Sequence, residues 1–432
     1  MQYQEALAHL DALTNYEITP RAGAIDGLSI APIQQIMTAL GDPHTAYPVI
    51  HVTGTNGKGS SIRMIEGLIQ AMGLRAGSYT SPHLETVNER IRVGAETIGD
   101  EDFARAVGDV ALAVESGLDG SATWFETVTA AAFLHFANEA IDVAIIEVGL
   151  LGRFDATNVV RADVAVVTNV GLDHTSGEGD WRARVAGEKA GIIEPTSVLV
   201  LGELDAATRP IFDTEGARRT VERGTDFEVT EDLLAVGGRL IGLRTPRGLY
   251  DDVFLNLHGS HQSDNAALAL AATEEFFDRA LPNDVVEEAF GSVEMPGRLE
   301  IVHRSPTVVI DTAHNVAGAT ALAQSIEADF NQGGRKFLLL GMQDGRVASD
   351  VCEALRVRDY HLVVACTAPT QRGVDAQAVA EAVGAAGGNV DVASNVEAAI
   401  DHLMAQAEDD DLIVVAGSNT VVGIVRNIST EF

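Results

Sequence analysis

A glycine-rich stretch near the start of the chain, "HVTGTNGKGSS" at 51–61, has the composition of a phosphate-binding loop. Three glycines allow the backbone to turn so that several N–H groups point at one anion, and Lys58 adds a positive charge. The spacing differs from the common P-loop, G-x-x-x-x-G-K-[ST], because Gly54 and Gly57 are only three residues apart and Gly59 follows the lysine. The stretch predicts nucleotide binding; the alternative is a glycine-rich turn that binds nothing.

Polar side chains follow two of the predicted strands. Glu147 ends the apolar run at 143–147, where a carboxylate is costly to bury unless it meets a cation. His174 follows the next strand, in "TNVGLDHT". Because ligand sites in open α/β sheets lie at the carboxyl ends of strands, Glu147 is a candidate magnesium ligand and His174 is its possible partner. The alternatives are a solvated carboxylate and a structural histidine.

Ser81 and Lys189 are two further candidates. Ser81, in "TSPHL", is expected at the same edge of the sheet, although an ordinary loop has the same composition. Lys189 lies in the helical stretch "GEKAGI", where a cation directed at a metal–nucleotide site would repel the metal. Carbamylation by CO₂ would convert the amine into an anionic oxygen ligand, and the alternative is a surface or ion-paired lysine.

Other polar groups follow strands and turns in the second half of the chain. Asn265 is near a helix start, where its amide could read an adenine edge, and Arg298 follows a Pro-Gly turn, where its guanidinium could reach a phosphate. Asp311 and His314 follow one apolar run, and Ser418 follows another. Together they predict that a second domain presents polar groups to a cleft.

The elements that must position these residues alternate between strands and helices. Apolar, β-branched runs at 47–54, 143–149, 164–171 and 198–203 predict buried parallel strands with helices on both faces. A second series of four strands follows a Pro-Gly turn. We therefore expect an α/β chain with an N-terminal domain at 1–292, a hinge at 293–298 and a C-terminal domain at 299–432.

Composition limits the classes of partner. The net charge of −34 argues against nucleic acid and anionic membranes, so positive potential for a polyanion must be local. Only three of the 29 Lys and Arg residues are lysines, and one of them is in the glycine loop. No apolar run reaches membrane-spanning length, and the N-terminus lacks the features of a signal peptide. We expect a cytoplasmic protein with two reduced cysteines.

Six motifs occur in an order that resembles one family. They are "TGTNGKGS", "TSPHL", "EVGLLGRFDATN", "GLDHT…EKAGI", "PGRLE" and "DTAHN". Over roughly 20–425, the chain is similar to the folylpolyglutamate synthase/dihydrofolate synthase family of Mur-ligase-like, ATP-dependent amide ligases. The resemblance implies an N-terminal P-loop mononucleotide-binding domain and a C-terminal Rossmann-like α/β domain. The sequence departs from the family pattern at Leu151, where glycine is usual.

The resemblance also implies roles for matching residues. To ATP it assigns Gly54, Thr55, Asn56, Gly57, Lys58, Gly59, Ser60, Asn265, Arg298 and Asp311. To two Mg²⁺ sites it assigns Ser81, Glu147, His174 and a carbamylated Lys189. To the pterin pocket it assigns Gly27, Leu28, Thr123, Phe125, Glu126 and Asp155, and to the incoming glutamate it assigns His314 and Ser418. Lys58, Lys189, His174, Arg298 and His314 are the expected catalytic residues.

The expected reaction joins a carboxylate to an amine. The carboxylate attacks the γ-phosphate of ATP to give an acyl phosphate, and the amine of L-glutamate then displaces phosphate. The acceptor would be dihydropteroate or a reduced folate, and the sequence favours an enzyme that uses both, as a monomer. The alternatives are a Mur-type cell-wall ligase, a P-loop ATPase without ligase activity, and an inactive binding protein.

Overall fold

The computed structural model describes residues 1–17, 29–117, 122–172, 178–330, 333–345 and 347–429. Three residues with expected roles, Gly27, Leu28 and His174, lie outside these ranges. The described residues form three β-sheets, two large and one small. Within the same ranges, no helix is long and apolar enough to cross a membrane.

The first large sheet contains eight strands in the order β4-β3-β2-β5-β1-β6-β7-β8. All neighbours are parallel from β2 to β8, whereas β3 and β4 add an antiparallel edge. The parallel arrangement expected from the β-branched runs is confirmed. The strands are β1 (Val49–Thr53), β2 (Ala76–Tyr79), β3 (Ile91–Val93), β4 (Glu96–Thr97), β5 (Val143–Glu147), β6 (Val164–Val167), β7 (Val198–Leu201) and β8 (Arg219–Glu222).

Helices cover both faces of this sheet, because alternate residues of each buried strand point to opposite sides. Ile50 and Val52 join a core with α3 and α8, and Val49 joins a core with α4 and α5. The helices of this half are α1 (Tyr3–Asp11), α2 (Ala31–Ala39), α3 (Lys58–Ala71), α4 (Asp100–Gly117), α5 (Trp124–Asn138), α6 (Trp181–Ala190), α7 (Arg209–Asp213), α8 (Ser260–Phe277) and α9 (Asn283–Gly291).

A small antiparallel sheet, which the sequence analysis did not predict, precedes α8. Its strands are β9 (Glu228–Ala235), β10 (Gly238–Arg244) and β11 (Leu249–Leu255), in the order β11-β10-β9. Ile241, Leu243 and Val253 are buried in the same core as α3 and α8. This sheet therefore extends the cover over one face of the parallel sheet.

The second large sheet follows residues 292–299, which contain turns and bends but neither helix nor strand. Its order is β12-β13-β17-β14-β15-β16, with only β12 antiparallel to its neighbour. The strands are β12 (Glu300–Arg304), β13 (Thr307–Ile310), β14 (Lys336–Leu340), β15 (Leu362–Ala365), β16 (Val390–Val392) and β17 (Leu412–Ala416). The helices are α10 (Val316–Asp329), α11 (Ala348–Ala354), α12 (Ala376–Ala385), α13 (Val396–Gln406) and α14 (Asn419–Ile428).

Two packed cores, one on each face, enclose this second sheet. Cys352 and Cys366 are buried in these cores and are not disulfide-bonded, as expected. Burial raises the pKa of the Cys352 thiol to about 11, so this thiol is protonated at neutral pH.

Asp329, at the end of α10, joins the two halves of the molecule. Its carboxylate accepts hydrogen bonds from the Gly259 backbone N–H at 2.7 Å and from Arg239 Nη1 at 2.8 Å. The Asp329 side chain is only 1% exposed, and Arg239 comes from β10 of the small sheet. A buried ion pair between Arg239 of the small sheet and Asp329 of α10 therefore joins the two halves.

We predict that Asp329→Ala reduces the free energy of unfolding by about 3 kcal/mol, because the buried Arg239 guanidinium keeps only Asp232 as a partner among the described residues and the Gly259 N–H loses its acceptor. Urea unfolding measures the change. Glu327→Ala, on the same helix as Asp329, is the matched control. It removes an exposed ion pair with Arg356 and should cost less than about 0.5 kcal/mol. Equal effects of the two substitutions would contradict the assignment of Asp329 as a buried interdomain contact.

Candidate functional site

A cavity of about 1300 Å³ lies between the two large sheets. On one side it is lined by the loops that follow β2, β5, β1 and β6, four neighbouring parallel strands whose carboxyl ends meet at one edge. On the other side it is lined by residues after β13 and β17. Most of the candidate residues therefore border one space.

The glycine loop connects β1 to α3, as a phosphate-binding loop requires. Gly54 (φ 154°) and Gly57 (φ 82°) adopt backbone conformations that favour glycine. A Cβ on Gly54 would lie 1.7 Å from Thr168 Oγ1, and one on Gly57 would lie 2.5 Å from Asn265 Oδ1. Gly59 lies in the first turn of α3, so its backbone is helical and only Gly54 and Gly57 have positive φ in this loop.

Residues at the end of β6 hold this loop, a role that the sequence analysis missed. Asn169 Oδ1 accepts the Asn56 N–H at 3.0 Å, and Asn169 Nδ2 and Thr168 Oγ1 donate to the Asn56 carbonyl at 3.1 and 2.6 Å. Thr55 also exchanges hydrogen bonds with Gly171. The loop is thus fixed in place with the N-terminal end of α3 at the cavity, which favours an anion there.

The buried carboxylate of Glu147 meets the loop at this edge. Its Oε1 is 3.8 Å from Lys58 Nζ, and its Oε2 accepts the Ser81 N–H at 3.1 Å. Glu147 is 4% exposed. Burial raises the pKa of Glu147 above its ordinary value, although Lys58 and the Ser81 hydrogen bond oppose the shift. These partners therefore compensate the negative charge only in part.

This arrangement fits a divalent cation. The incompletely compensated carboxylate of Glu147 provides oxygen ligands of the kind that Mg²⁺ prefers, and Ser60 borders the same cavity. The described residues contain no cluster of three or more His, Cys, Asp or Glu side chains able to hold a metal by themselves. Any site here therefore depends on other donors, such as nucleotide phosphates.

Lys189 lies near the end of α6 and is 3% exposed. The carbonyl of the preceding residue, Glu188, accepts the Arg153 N–H at 2.9 Å, so this end of α6 contacts the loop that follows β5. Lys189 is not among the residues that line the cavity. The structure shows a buried lysine beside the Glu147 loop; a direct contact between Lys189 and a metal position stays a prediction.

The three remaining nucleotide candidates border the cavity. Asn265 lies in α8 and its amide contacts Gln262 at 3.0 Å. Arg298 is half-buried, and its guanidinium forms no hydrogen bond or ion pair within the described ranges. The Asp311 carboxylate accepts the Leu299 N–H at 3.0 Å and the Ala313 N–H at 2.8 Å. Asp311 therefore also shapes the turn that carries Arg298.

The two candidates for the incoming amino acid come from the second half. His314 Nδ1 is 2.8 Å from the Thr312 carbonyl, and Ser418 Oγ caps α14 by accepting the Val421 N–H at 3.2 Å. Asn315, the last residue of the motif DTAHN, donates from Nδ2 to Asn56 Oδ1 at 3.0 Å. This hydrogen bond ties the glycine loop directly to the second domain.

The described pterin-pocket candidates, Thr123, Phe125, Glu126 and Asp155, border the same cavity from the start of α5 and the loop after β5. Thr123 and Glu126 form a capping box, with Thr123 Oγ1 2.8 Å from Glu126 Oε2, so both side chains help to begin the helix. The ring centres of Phe125 and Tyr79 are 6.1 Å apart. Asp155 is 6% exposed and lines the cavity.

A cluster around Arg90 completes this wall and was missed by the sequence analysis. Arg90 is 1% exposed and forms a two-point ion pair with Glu17 at 2.9 and 2.7 Å. Its guanidinium lies 4.6 Å from the Trp124 ring centre, and its Nε donates to His83 Nδ1 at 2.9 Å. Burial, together with Arg90, lowers the pKa of His83 to about 4, so this imidazole is neutral at pH 7.

Comparisons with known proteins agree with this geometry. Residues 52–273 match the Mur ligase middle domain, and residues 297–419 match the Mur ligase glutamate ligase domain. The chain is 36% identical to the dihydrofolate synthase/folylpolyglutamate synthase of Mycobacterium tuberculosis over 93% of this chain and 90% of the relative.

Solved structures show the same fold. Mycobacterium tuberculosis folylpolyglutamate synthase complexed with ADP has a TM-score of 0.92 at 35% identity, covering 99% of this chain and 98% of that chain. Escherichia coli FolC in complex with DHPP and ADP has a TM-score of 0.88 at 29% identity, covering 100% and 98%. A bifunctional folylpolyglutamate synthase/dihydrofolate synthase with Mn, AMPPNP and L-glutamate has a TM-score of 0.86 at 26% identity, covering 99% and 98%.

These similarities extend over both large sheets and the cavity between them. Two domain families match in the order that the sequence motifs indicated, and a full-length relative exceeds 30% identity. The chain belongs to the dihydrofolate synthase/folylpolyglutamate synthase family of ATP-dependent amide-forming ligases.

Proposed function

We propose that this ligase adds L-glutamate both to dihydropteroate and to reduced folates, through an acyl phosphate. The observation that carries the proposal is a single cavity that joins the glycine loop, Glu147, Asp155 and the second-domain residues His314 and Ser418. Three substrates that must react in sequence can therefore share one enclosed space.

At the nucleotide end, positive charge is concentrated within an acidic chain. The N-terminus of α3 and Lys58 would hold the phosphates, and Arg298, which has no partner in the described ranges, would complete the charge around the γ-phosphate. Asn265 and Asp311 would contact the remainder of the nucleotide. Catalysis in phosphoryl transfer is mainly positioning and charge stabilisation, which this set supplies.

Divalent metal use is supported by the geometry at Glu147 and by the manganese present in the structure of a bifunctional relative. Ser81, Glu147, His174 and carbamylated Lys189 would hold two Mg²⁺ ions. When bound, these ions would neutralise charge on the transferring phosphoryl group. The protein residues keep their own roles: Lys58 pairs with anions, and Ser81 fixes the Glu147 carboxylate through its backbone N–H.

At the acceptor end, Phe125 would stack against an aromatic ring, and Asp155 would accept hydrogen bonds from its N–H groups. Thr123 and Glu126 would form the pocket wall by beginning α5 there. Gly27 and Leu28, which lie outside the described residues, would add further contacts to the acceptor. The DHPP bound to the Escherichia coli enzyme supports an acceptor of this kind.

The chemistry explains why phosphate is installed first. A carboxylate is a poor electrophile, so the acceptor oxygen attacks the γ-phosphorus and ADP leaves with the electrons of the broken P–O bond. The glutamate amine, placed by His314 and Ser418, then attacks the acyl carbon, phosphate leaves, and the amine loses a proton. The Asn56–Asn315 hydrogen bond keeps the second domain against the loop, which protects the acyl phosphate from water. We also propose that the enzyme works as a monomer in the cytoplasm.

The reaction is tested by phosphate release from ATP with each substrate omitted in turn. We predict rapid release only when L-glutamate and either dihydropteroate or tetrahydrofolate are both present. Each acceptor must also gain one glutamate, as measured by mass spectrometry. Phosphate release that is independent of acceptor would indicate a P-loop ATPase, and turnover with a UDP-sugar peptide instead of a folate would indicate a Mur-type cell-wall ligase.

The carbamate is tested at Lys189, which is buried near the end of α6. Lys189→Ala and Lys189→Arg should each lower kcat by about 100-fold or more, since neither side chain can be carbamylated. Acetate should restore part of the activity of the alanine variant. Lys336→Ala, which changes a lysine of the second sheet, is the control and should keep full activity. Full activity of Lys189→Arg would show that the carbamate is not used.

A further inference from the structure

A buried chain of hydrogen bonds connects β1 to Asp155. His51, in the middle of β1, is 0% exposed and lies between Ile146 of β5 and Ala165 of β6. Its Nε2 is 3.0 Å from Thr157 Oγ1, which is 2.5 Å from Asp155 Oδ1. His51 is more than 100 positions away in sequence from Thr157 and Asp155, and the sequence motifs did not predict this contact.

The direction of these hydrogen bonds follows from the number of protons available. A threonine hydroxyl has one proton, and that of Thr157 is donated to the Asp155 carboxylate. Thr157 Oγ1 therefore accepts from His51, which must carry its proton on Nε2. Burial lowers the pKa of His51 to about 3, so the imidazole is neutral and has one tautomer with this arrangement.

The imidazole is an expensive group to place here. Within the described residues, His51 Nδ1 is buried and has no hydrogen-bond partner. An aliphatic side chain, as at the neighbouring positions of the same sheet, would fill this position without a buried, unpaired nitrogen. What His51 supplies and an aliphatic residue does not is the single hydrogen bond from Nε2 to Thr157.

The effect of that hydrogen bond falls on Asp155. Its Oδ1 accepts both the hydroxyl group and, at 3.0 Å, the backbone N–H of Thr157, whereas Oδ2 accepts the Leu150 N–H at 2.7 Å. Oδ1 therefore has two donors within the protein and Oδ2 accepts the Leu150 N–H, and the Gly149 backbone N–H also favours the charged carboxylate. Burial raises the pKa of Asp155, and the Thr157 hydrogen bonds oppose this and favour the ionised carboxylate.

We propose that His51 is a positioning residue: by orienting the Thr157 hydroxyl group, it holds Asp155 so that Oδ2 accepts N–H donors of the pterin ring. The inference rests on the proposed function, in which Asp155 contacts the acceptor. It predicts a larger effect on the acceptor than on ATP, because the hydrogen bonds from His51 lead to Asp155, whereas the glycine loop begins beyond the end of β1.

The test compares His51→Gln, whose amide N–H can replace Nε2, with His51→Met, which has similar length and no donor. The probe is dihydropteroate, with KM measured at saturating ATP and glutamate. His51→Met should raise this KM about tenfold and change the KM for ATP less than about twofold. His51→Gln should keep the KM for dihydropteroate close to that of the unsubstituted protein. Thr273→Val, which removes a buried hydroxyl group from α8, controls for loss of stability.

A double-mutant cycle shows whether His51 acts through Thr157 or whether the two residues affect acceptor binding independently. If His51 acts through Thr157, the double variant His51→Met/Thr157→Val should be no worse than Thr157→Val alone. Multiplied effects, an unchanged KM for dihydropteroate in His51→Met, or an equal rise in the KM for ATP would each overturn the proposal. If His51→Met does not fold, Thr157→Ser and Thr157→Val decide, because only the serine keeps the hydroxyl group, and equal KM values would overturn the proposal.

Asp155→Asn separates this inference from the proposed function. If Asp155→Asn leaves the KM for dihydropteroate unchanged, Asp155 does not contact the acceptor, and both assignments fail. If Asp155→Asn raises that KM and His51→Met does not, only the positioning role of His51 fails.

Discussion

The structure of the site depends on a buried carboxylate whose charge is only partly compensated. Glu147 ends the strand beside β1, so its side chain enters the space in which the glycine loop turns. Lys58 is 3.8 Å away and Ser81 supplies one N–H, yet the pKa of Glu147 remains raised by burial. In the proposed function, a divalent cation that arrives with the nucleotide would compensate the buried charge of Glu147.

The fold delivers these groups by aligning four neighbouring strand ends. Ser81 follows β2, Glu147 ends β5, the glycine loop follows β1, and Thr168 and Asn169 follow β6. Parallel pairing places all four at one edge, where each segment buttresses the next. The second domain then closes over this edge, with the Asn56–Asn315 hydrogen bond and the Asp329 ion pair joining the halves at two separate points.

Much of this arrangement could be predicted from the sequence, because apolar strand runs with polar residues at their ends are local signals. They placed Glu147 at a strand end and the second-domain residues at a cleft. In the structure Glu147 lies 3.8 Å from Lys58, and these second-domain residues border the same cavity. The sequence could not show that Asn169 clamps the loop or that His51 reaches Thr157, because those contacts join segments more than 100 residues apart and depend on strand register. Arg90 was missed because its ion pair with Glu17 has no local pattern.

Strain at Leu151 shows how a departure from a family pattern appears in three dimensions. This position, at which the sequence resemblance leads us to expect glycine, has φ of 59°, in the left-handed region that favours glycine. The side chain is nevertheless buried in the core beside β6 and α6. Burial of the leucine side chain thus compensates, at least in part, the backbone conformation that the loop after β5 requires.

Thermal unfolding of Glu147→Gln, with and without Mg²⁺ and a non-hydrolysable ATP analogue, tests the central claim most directly. A carboxyl group with a raised pKa in the folded state binds more protons than in the unfolded chain, so the ligand-free protein loses stability as pH rises through that pKa. At pH 7 without ligand, the glutamine variant should therefore be at least as stable as the unsubstituted protein. Only the unsubstituted protein should gain further stability when Mg²⁺ is added to the analogue. A ligand-free variant that unfolds at lower temperature, or one that gains equally from Mg²⁺, would contradict the account.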